Sequence, residues 1–308
     1  MALPLAGGRR AEVPTAEPVP AEVLRKIRQV EIKARILADE LLLGSYRSVF
    51  RGWGLDFEEV REYEPGDDIR SIDWNVTARM GTPYIKKFRE ERELTVFLLV
   101  DVSSSSWFGT AATTKRELAI DVAALLAFAA IRNGDSLSLL LFADRIKRFV
   151  PARTGQDHLL RVIRDLLFEV PVRSRTDIAA AARFISNSTK KRSVVFVISD
   201  FLDSGYEAAL QRLARRHDVV ACAITDPREG ELPAVGVIGL EDAETGEVAY
   251  VDTSRPATRA AYAAEAQRRR QERLRTFGRI GLDRVELSTD RPYVPALMAF
   301  FRARTRRR

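Results

Sequence analysis

The spacing of hydrophobic positions changes along the chain and divides it into five parts. Residues 1–20 are rich in alanine, proline and glycine and are predicted to be disordered, whereas residues 21–43 repeat apolar side chains at helical steps of three and four. Glycine, proline and short alternating stretches predict a small β-rich element over 44–93. Apolar runs that alternate with helical patterns predict an α/β domain over 94–290, and a helix with a basic tail is predicted for 291–308.

Four apolar runs in the α/β region have the length and composition of buried strands: 96–100, 136–142, 194–198 and 219–224. Helical patterns separate them, and continuous apolar strands are typical of a parallel sheet that helices cover on both faces. A short strand after the second run is predicted to pair antiparallel. We therefore predict an α/β fold with a doubly wound, mostly parallel sheet and the small β-rich element ahead of it.

Cysteine and histidine are scarce, which limits the chemistry available to the chain. The single cysteine, Cys222, has no internal disulfide partner, and the two histidines, His158 and His217, lie far apart in sequence. A zinc site or a cysteine–histidine pair is therefore not expected. No apolar stretch is long enough for a membrane span and no signal-like leader is visible, so we expect a cytoplasmic protein.

Positive charge is concentrated near one end of the sequence. The net charge is +7, and residues 255–308 carry fifteen arginines against five acidic residues. Such a segment can bind nucleic acid, anionic lipid or an acidic protein. Aromatic residues are not interleaved with the arginines, which disfavours nucleic acid. A solvated, arginine-rich helix face is the favoured interpretation.

The first candidate site directly follows the apolar run 96–100. Asp101, Ser103 and Ser105 place one carboxylate and two hydroxyls at alternating positions where a strand should end. Oxygen ligands at the carboxyl end of a parallel strand suit a hard divalent cation such as Mg2+, with Mn2+ and Ca2+ as alternatives. A plain polar turn and a nucleophilic serine are the competing interpretations. The serines lack the flanking glycines of a nucleophile elbow.

Two further segments are predicted to reach the same edge of the sheet. Thr176 and Asp177 precede a helix, while Ser199 and Asp200 follow the apolar strand before another helix. Each of these residues could instead cap a helix, and Thr176 is a candidate amino-terminal cap. Three oxygen-rich strand or loop ends in one sheet favour a shared ligand site. Asp203 lies nearby in sequence without a defined role.

In order and spacing, these residues resemble the metal-ion-dependent adhesion site of von Willebrand factor A domains. The resemblance implies that Ser103, Ser105 and Thr176 bind the ion directly. It implies that Asp101 and Asp200 act through water or accept hydrogen bonds from serine hydroxyls. It also implies an open coordination position that a carboxylate of a partner protein fills.

The segment ahead of the α/β region resembles a bacterial family, the domain of unknown function 58. The matching segments are 52–57, 61–70, 72–75, 78–79 and 86–92, followed by 133–135 and 199–201. Asp56 and Ser106 depart from the glutamate and methionine that are frequent in the family, and neither is a predicted ligand. Members of the family tend to be encoded with MoxR-type AAA+ ATPases. The resemblance therefore implies a chaperone-like role in assembling or activating other proteins.

Together these features predict a metal-dependent protein-interaction module. It is expected to capture an aspartate or glutamate of a partner through a bound divalent cation, and the resemblance implies a MoxR-type ATPase or its client as that partner. No convincing nucleophile or base accompanies the candidate ligands, so we expect no catalysis. The alternatives are a metal-assisted hydrolase using Asp101 and Asp200, and a nucleic-acid or membrane-surface adaptor using the arginine-rich segment.

Overall fold

The computed structural model describes most of the chain. It covers residues 21–37, 55–90, 94–110, 113–169 and 173–307. The predicted disordered segment 1–20 and the end of the helix predicted over 21–43 lie outside these ranges.

Helices and strands alternate through the described residues. The helices are α1 (Ala21–Leu37), α2 (Trp74–Met80), α3 (Lys115–Arg132), α4 (Gln156–Phe168), α5 (Ile178–Ser188), α6 (Glu207–Ala214), α7 (Pro227–Gly230), α8 (Pro256–Ile280) and α9 (Tyr293–Arg307). The strands are β1 (Leu55–Glu62), β2 (Tyr84–Glu90), β3 (Thr95–Asp101), β4 (Ser136–Phe142), β5 (Ile146–Arg153), β6 (Val194–Ser199), β7 (Asp218–Thr225), β8 (Val237–Glu241), β9 (Val248–Asp252) and β10 (Asp283–Ser288). The strands predicted in the α/β region are found, with ends shifted by a few residues.

Six strands form the central sheet in the order β10-β7-β6-β3-β4-β5. β5 runs antiparallel to β4, and the other neighbours are parallel. From β3 the chain continues to β4 on one side and later returns to β6 on the other side, so the strand order reverses at β3. Open α/β sheets bind ligands at the carboxyl ends of the strands beside such a reversal. The predicted fold class is confirmed.

Alternate residues of β3 enter two different hydrophobic cores. Val96, Leu98 and Val100 pack in one core, whereas Phe97 and Leu99 pack in the other. This two-residue period is expected of a strand that is buried on both faces. Residues of α1, α3, α4 and α9 contribute to the first core, and residues of α5, α6 and α8 to the second. The carboxyl end of β3 is therefore held from both sides.

The central helix α3 is apolar on nearly all sides, and every residue from 122 to 130 is buried. It begins with a capping box, in which the N–H of Glu117 donates to the Thr114 hydroxyl (3.1 Å) and the N–H of Thr114 donates to the Glu117 carboxylate (2.9 Å). This cap places Lys115, the first residue of the helix, beside the sheet edge. In the described ranges, no helix is both long enough and apolar enough to cross a membrane.

The small β-rich element contains a helix that the sequence pattern did not predict. β1 and β2 pair antiparallel, and α2 lies in the connection between them. Asp73 caps α2 by accepting hydrogen bonds from the N–H groups of Asn75 (3.0 Å) and Val76 (3.3 Å). Gly81 ends the helix in the left-handed conformation, with φ of 77°.

The predicted C-terminal helix is found as α9, and it includes most of the basic tail because it continues to Arg307. Arg304 is buried in it and forms ion pairs with Asp218 and, at 3.3 Å, with Asp283. Arg307 lies 3.8 Å from the same Asp283. These pairs attach the end of the helix to β7 and β10.

Candidate metal centre at the sheet edge

The candidate centre lies where two neighbouring parallel strands end. Asp101 is the last residue of β3, and Ser199 is the last residue of β6, with Asp200 directly after it. β3 and β6 are hydrogen-bonded neighbours, so these residues converge at one edge of the sheet. All three are buried, with at most 6% of their surface exposed.

The turn after β3 brings the predicted serine ligands together. The N–H of Ser103 donates to Oδ1 of Asp101 at 2.9 Å. The hydroxyl oxygens of Ser103 and Ser105 lie 3.2 Å apart, and both residues are buried. The Ser106 hydroxyl donates to the carbonyl of Ser103 at 2.7 Å, which stabilises the turn. Three of the five predicted ligands therefore form one cluster.

Ser199, which is not among the predicted ligands, supports that cluster. Its hydroxyl donates to Oδ2 of Asp101 at 2.6 Å and accepts a hydrogen bond from the N–H of Phe201 at 3.0 Å. Phe201 has φ of 56°, the one positive φ of a non-glycine residue in the described ranges. That conformation costs about 1 kcal/mol, and it is compensated by the surrounding contacts. In the sequence, only the position of Ser199 at the end of a strand indicated that it could support the centre.

A buried lysine, also not predicted, holds the second carboxylate. Lys115 is 2% exposed and donates to Oδ2 of Asp200 at 2.8 Å and to Oε1 of Glu229. Glu229 accepts the N–H of Asp226 with its other oxygen at 3.0 Å. The ring of Phe108 lies 5.9 Å from the ammonium group. Nothing in the local sequence pairs Lys115 with an acid 85 residues away.

The two carboxylates of the centre have opposite electrostatic surroundings. Burial raises the pKa of Asp101 to about 6, and the charge of Asp200 adds to the rise, against hydrogen bonds from Ser103 and Ser199. Burial acts in the same direction on Asp200, but the ammonium group of Lys115, together with hydrogen bonds from Ser105 and the N–H of Leu202, outweighs it, so the pKa of Asp200 is lowered. The negative charge of Asp101 is therefore the less stabilised of the two.

Thr176 lies in a loop that is hydrogen-bonded to the turn after β3, residues 102–106, here called the serine turn. The N–H of Ser174 donates to the Ser104 hydroxyl at 2.7 Å, and the N–H of Ser104 donates to the Ser174 carbonyl at 3.3 Å. Thr176 follows two residues later and is half-buried. The alternative that Thr176 caps a helix is wrong, because Asp177 caps α5 by accepting the N–H of Ala180 at 2.7 Å.

Two further side chains brace the loop after β6. Asp203 accepts the N–H of Ile178 at 2.9 Å and so joins this loop to the start of α5, directly after the Thr176 segment. Arg273 of α8 donates to the carbonyl of Asp200 at 3.0 Å and pairs with Glu286 at 3.3 Å. Asp203 therefore has a structural role, and Arg273 links α8 to the candidate centre.

The donor set fits a hard divalent cation. Hydroxyl and carboxylate oxygens are the ligands that Mg2+ and Ca2+ prefer, and the raised pKa of Asp101 marks a buried charge that a cation stabilises. No group of three or more histidine, cysteine, aspartate or glutamate residues in the described ranges could hold a metal ion. A site here therefore depends on the hydroxyls of Ser103, Ser105 and Thr176.

Arginines of the basic segment form ion pairs within the protein. Arg268 pairs with Glu265 at 2.7 Å and with Glu272 at 2.5 Å on the surface of α8. Arg270 and Glu286 lie 3.3 Å apart. These pairs favour the interpretation of a solvated helix face over a nucleic-acid surface.

Comparison with known proteins identifies relatives of the chain. The family model described as "Protein of unknown function DUF58" matches residues 59–272, which include the five predicted ligands. The uncharacterized protein Rv1480 of Mycobacterium tuberculosis (strain ATCC 25618 / H37Rv) is 35% identical over 283 residues, or 91% of this chain and 89% of that protein. The uncharacterized protein YeaD of Bacillus subtilis (strain 168) is 30% identical over 107 residues, or 35% of this chain and 25% of that protein.

Solved structures show a more distant similarity. The protein BatB from Bacteroides thetaiotaomicron matches 69% of this chain and 99% of its own, with 14% identity and a TM-score of 0.43. An aerotolerance-related membrane protein from Bacteroides fragilis matches 70% of this chain and 100% of its own, with 15% identity and a TM-score of 0.46. The SpRpn10 VWA domain matches 67% of this chain and 94% of its own, with 12% identity and a TM-score of 0.38.

Proposed function

This chain belongs to the DUF58 family of proteins of unknown function, and we propose that it is a metal-dependent protein-interaction module. Ser103, Ser105 and Thr176 hold a divalent cation, Mg2+ or alternatively Mn2+ or Ca2+, while Asp101 and Asp200 orient the hydroxyls and balance charge. The cation supplies an open coordination position that accepts a carboxylate of a partner protein, since its direct ligands are neutral.

The arrangement around Asp101 is the observation that carries this proposal. Its carboxylate is buried, and its two oxygens accept hydrogen bonds from the N–H of Ser103 and the hydroxyl of Ser199. The hydroxyls of Ser103 and Ser105 lie beside it, 3.2 Å apart. A hydroxyl can donate its proton to a carboxylate while its lone pairs face a cation. The carboxylates can thus support a set of neutral ligands.

Lys115 reduces the net negative charge of the centre, which suits the binding of a partner's carboxylate. Its ammonium group pairs with Asp200, so one of the two acids is already compensated before a cation arrives. A divalent ion then faces mainly the charge of Asp101 and retains attraction for an outside carboxylate.

A hydrolase is less well supported by the same contacts. A general base must be within reach of the attacking water, and both acids of the centre are at most 6% exposed. Asp101 already accepts hydrogen bonds at both oxygens, and Asp200 accepts them from Lys115 and from the N–H of Leu202 at 3.2 Å. Both acids act as acceptors within the fold.

We further propose a MoxR-type AAA+ ATPase, or a client of it, as the protein that supplies the aspartate or glutamate. The support for this partner is the family resemblance, because family members tend to be encoded with such ATPases. The chemistry of the centre requires only an exposed acidic side chain. The module would then act as an adaptor in the assembly or activation of other proteins.

Thermal unfolding with and without Mg2+ tests the metal site. Mg2+ should raise the melting temperature of the protein above that in chelator, because the ion binds the folded state. Ser103→Ala and Asp101→Asn should remove this rise. Ser138→Ala is the matched control, since its buried hydroxyl donates to the carbonyl of Val150 at 2.7 Å away from the centre. A response that survives in Ser103→Ala and Asp101→Asn would overturn the assigned site.

Binding of a purified MoxR-type ATPase tests the partner. Chelator and Ser103→Ala should each weaken binding, whereas Ser138→Ala should not. Binding that persists in chelator but falls steeply with salt would favour the arginine-rich segment instead. Turnover of ATP or a phosphate ester by the protein alone, lost in Asp101→Ala, would favour the hydrolase.

A further inference from the structure

A hairpin between α7 and α8 brings one more carboxylate to the candidate centre. β8 and β9 pair antiparallel and are joined by residues 242–247, here called the hairpin turn. Oδ1 of Asp242 accepts the N–H groups of Glu244 (2.8 Å) and Thr245 (2.9 Å), and the N–H of Gly246 donates to the Asp242 carbonyl at 2.7 Å. These bonds determine the shape of the turn.

The hairpin turn contacts the loop that carries Thr176. Arg173 in this loop forms an ion pair with Glu241 at 2.5 Å. Gly246 packs so closely on the guanidinium group that a Cβ atom would lie 2.0 Å from Nη1 of Arg173. The next residue of the loop, Ser174, is hydrogen-bonded to the serine turn. The hairpin turn, the loop and the serine turn therefore form a continuous set of contacts.

Glu244 lies beside the loop that carries Thr176. It is half-buried, and its carboxylate lies near the N–H of Thr176 and close enough to Asp200 to be affected by that charge. Acids placed together repel one another unless a cation lies among them. A divalent cation held by the serine turn and Thr176 would therefore attract the carboxylate of Glu244.

The contacts that hold the hairpin are easily broken. The side chains of Arg173 and Glu241 are 59% and 53% exposed, and an ion pair of this kind contributes about 1 kcal/mol or less. Val248 and Tyr250 of β9 are exposed, and Leu240 of β8 is only half-buried. The hairpin can therefore move away from the centre at low cost.

We propose that Glu244 is an internal carboxylate that occupies, in the protein without a partner, the coordination position that a partner's acid takes. The inference rests on the proposed function, because it requires a divalent cation held by Ser103, Ser105 and Thr176. The hairpin is then a displaceable cover. A partner binds only the protein molecules in which the cover has moved away. The apparent Kd for the partner therefore rises as the fraction of such molecules falls.

Mg2+ titration calorimetry and hydrogen exchange of the full chain test this inference. Glu244→Gln keeps the size of the side chain and removes its charge. Glu247→Gln is the matched control, since Glu247 is an exposed acid in the same turn. We expect the Kd for Mg2+ to rise about tenfold in Glu244→Gln and to stay unchanged in Glu247→Gln. Mg2+ should slow amide exchange across the hairpin turn in the wild type and in Glu247→Gln, but not in Glu244→Gln.

Failure of this inference is distinguishable from failure of the proposed function. Wild-type protein that binds Mg2+ with Ser103-dependent affinity, while Glu244→Gln matches it in Kd and in exchange, would overturn the cover and leave the metal site standing. A wild type that shows no binding of Mg2+, Mn2+ or Ca2+ would overturn both. An equal loss of affinity in Glu244→Gln and Glu247→Gln would mean a general effect of charge and would also overturn the assignment to Glu244.

Discussion

The floor and the cover of the candidate centre are built in different ways. The floor consists of strand ends and a helix start, each residue at most 6% exposed: Asp101, Ser103, Lys115, Ser199 and Asp200. The cover consists of the loop 173–176 and the hairpin turn, whose side chains are mainly half-buried or exposed. Buried ionic groups are costly to disturb, whereas exposed ion pairs contribute little. We therefore expect the contacts of the cover to break more easily than those of the floor.

The largest expected effect comes from removing the buried ammonium group of Lys115 from the floor. Lys115→Met leaves Asp200 and Glu229 without their ammonium partner, and we expect the free energy of unfolding to fall by about 3–5 kcal/mol. Urea denaturation measures this loss. Lys147→Met is the control, because Lys147 pairs with Asp144 near the surface and should cost less than about 1 kcal/mol. Similar losses in the two variants would contradict the difference between buried and exposed pairs.

The second prediction concerns the pH dependence of the floor. Asp101 has a pKa of about 6 in the folded protein against an ordinary value of 3.8, so the folded state holds this proton more tightly than the unfolded state. Its contribution to stability is therefore complete below about pH 4 and is lost as the pH rises through 6.

In chelator, this loss should be visible as a difference between the wild type and Asp101→Asn. The wild type should lose on the order of 2 kcal/mol more between pH 4 and pH 7 than the variant, measured by urea denaturation. Saturating Mg2+ should reduce the loss, because the cation stabilises the ionised carboxylate. Parallel pH profiles of the two proteins would show that Asp101 ionises normally.

A smaller, local effect is expected from a change in the cover. Gly246→Ala places a Cβ against Arg173 at a residue with φ of 78° and should destabilise the hairpin turn by about 1 kcal/mol. Hydrogen exchange over 242–247 should accelerate. Gly236→Ala has the same kind of positive φ, 89°, but its Cβ would meet no atom within 4 Å. Faster exchange at the hairpin turn in both variants would mean that backbone strain alone, and not the contact with Arg173, controls the cover.

The smallest effect is expected from the exposed ion pair of the cover. Arg173→Gln removes the pair with Glu241 and should change global stability by about 0.5 kcal/mol or less, while exchange in the hairpin turn accelerates. Arg291→Gln, at an arginine that pairs with Asp290 on the surface, should leave that exchange unchanged. A global loss as large as that of Lys115→Met would mean that the cover is part of the folded core.

The predicted ligands differ in how well the sequence alone could predict their positions in the fold. Asp101, Ser103 and Ser105 follow a buried strand without a break, so their proximity is a local property of the turn. Asp200 could be placed because it follows a second apolar strand. For Thr176 the sequence also allowed a capping role, and that role belongs to Asp177, since threonine and aspartate are both good caps and only the backbone path selects one.

The sequence by itself determined the α/β class, the mostly parallel sheet and the oxygen donors at its edge. Hydrophobic periodicity and polar strand ends are local patterns, so they can be recognised in the sequence before the order of the strands is known. Only the tertiary structure decided that Lys115 compensates Asp200, that Ser199 supports Asp101 and that the hairpin turn brings Glu244 to Thr176. Each of these contacts joins residues far apart in the chain. A charge can find its partner there only after the strands have been ordered and the helices have closed over both faces of the sheet.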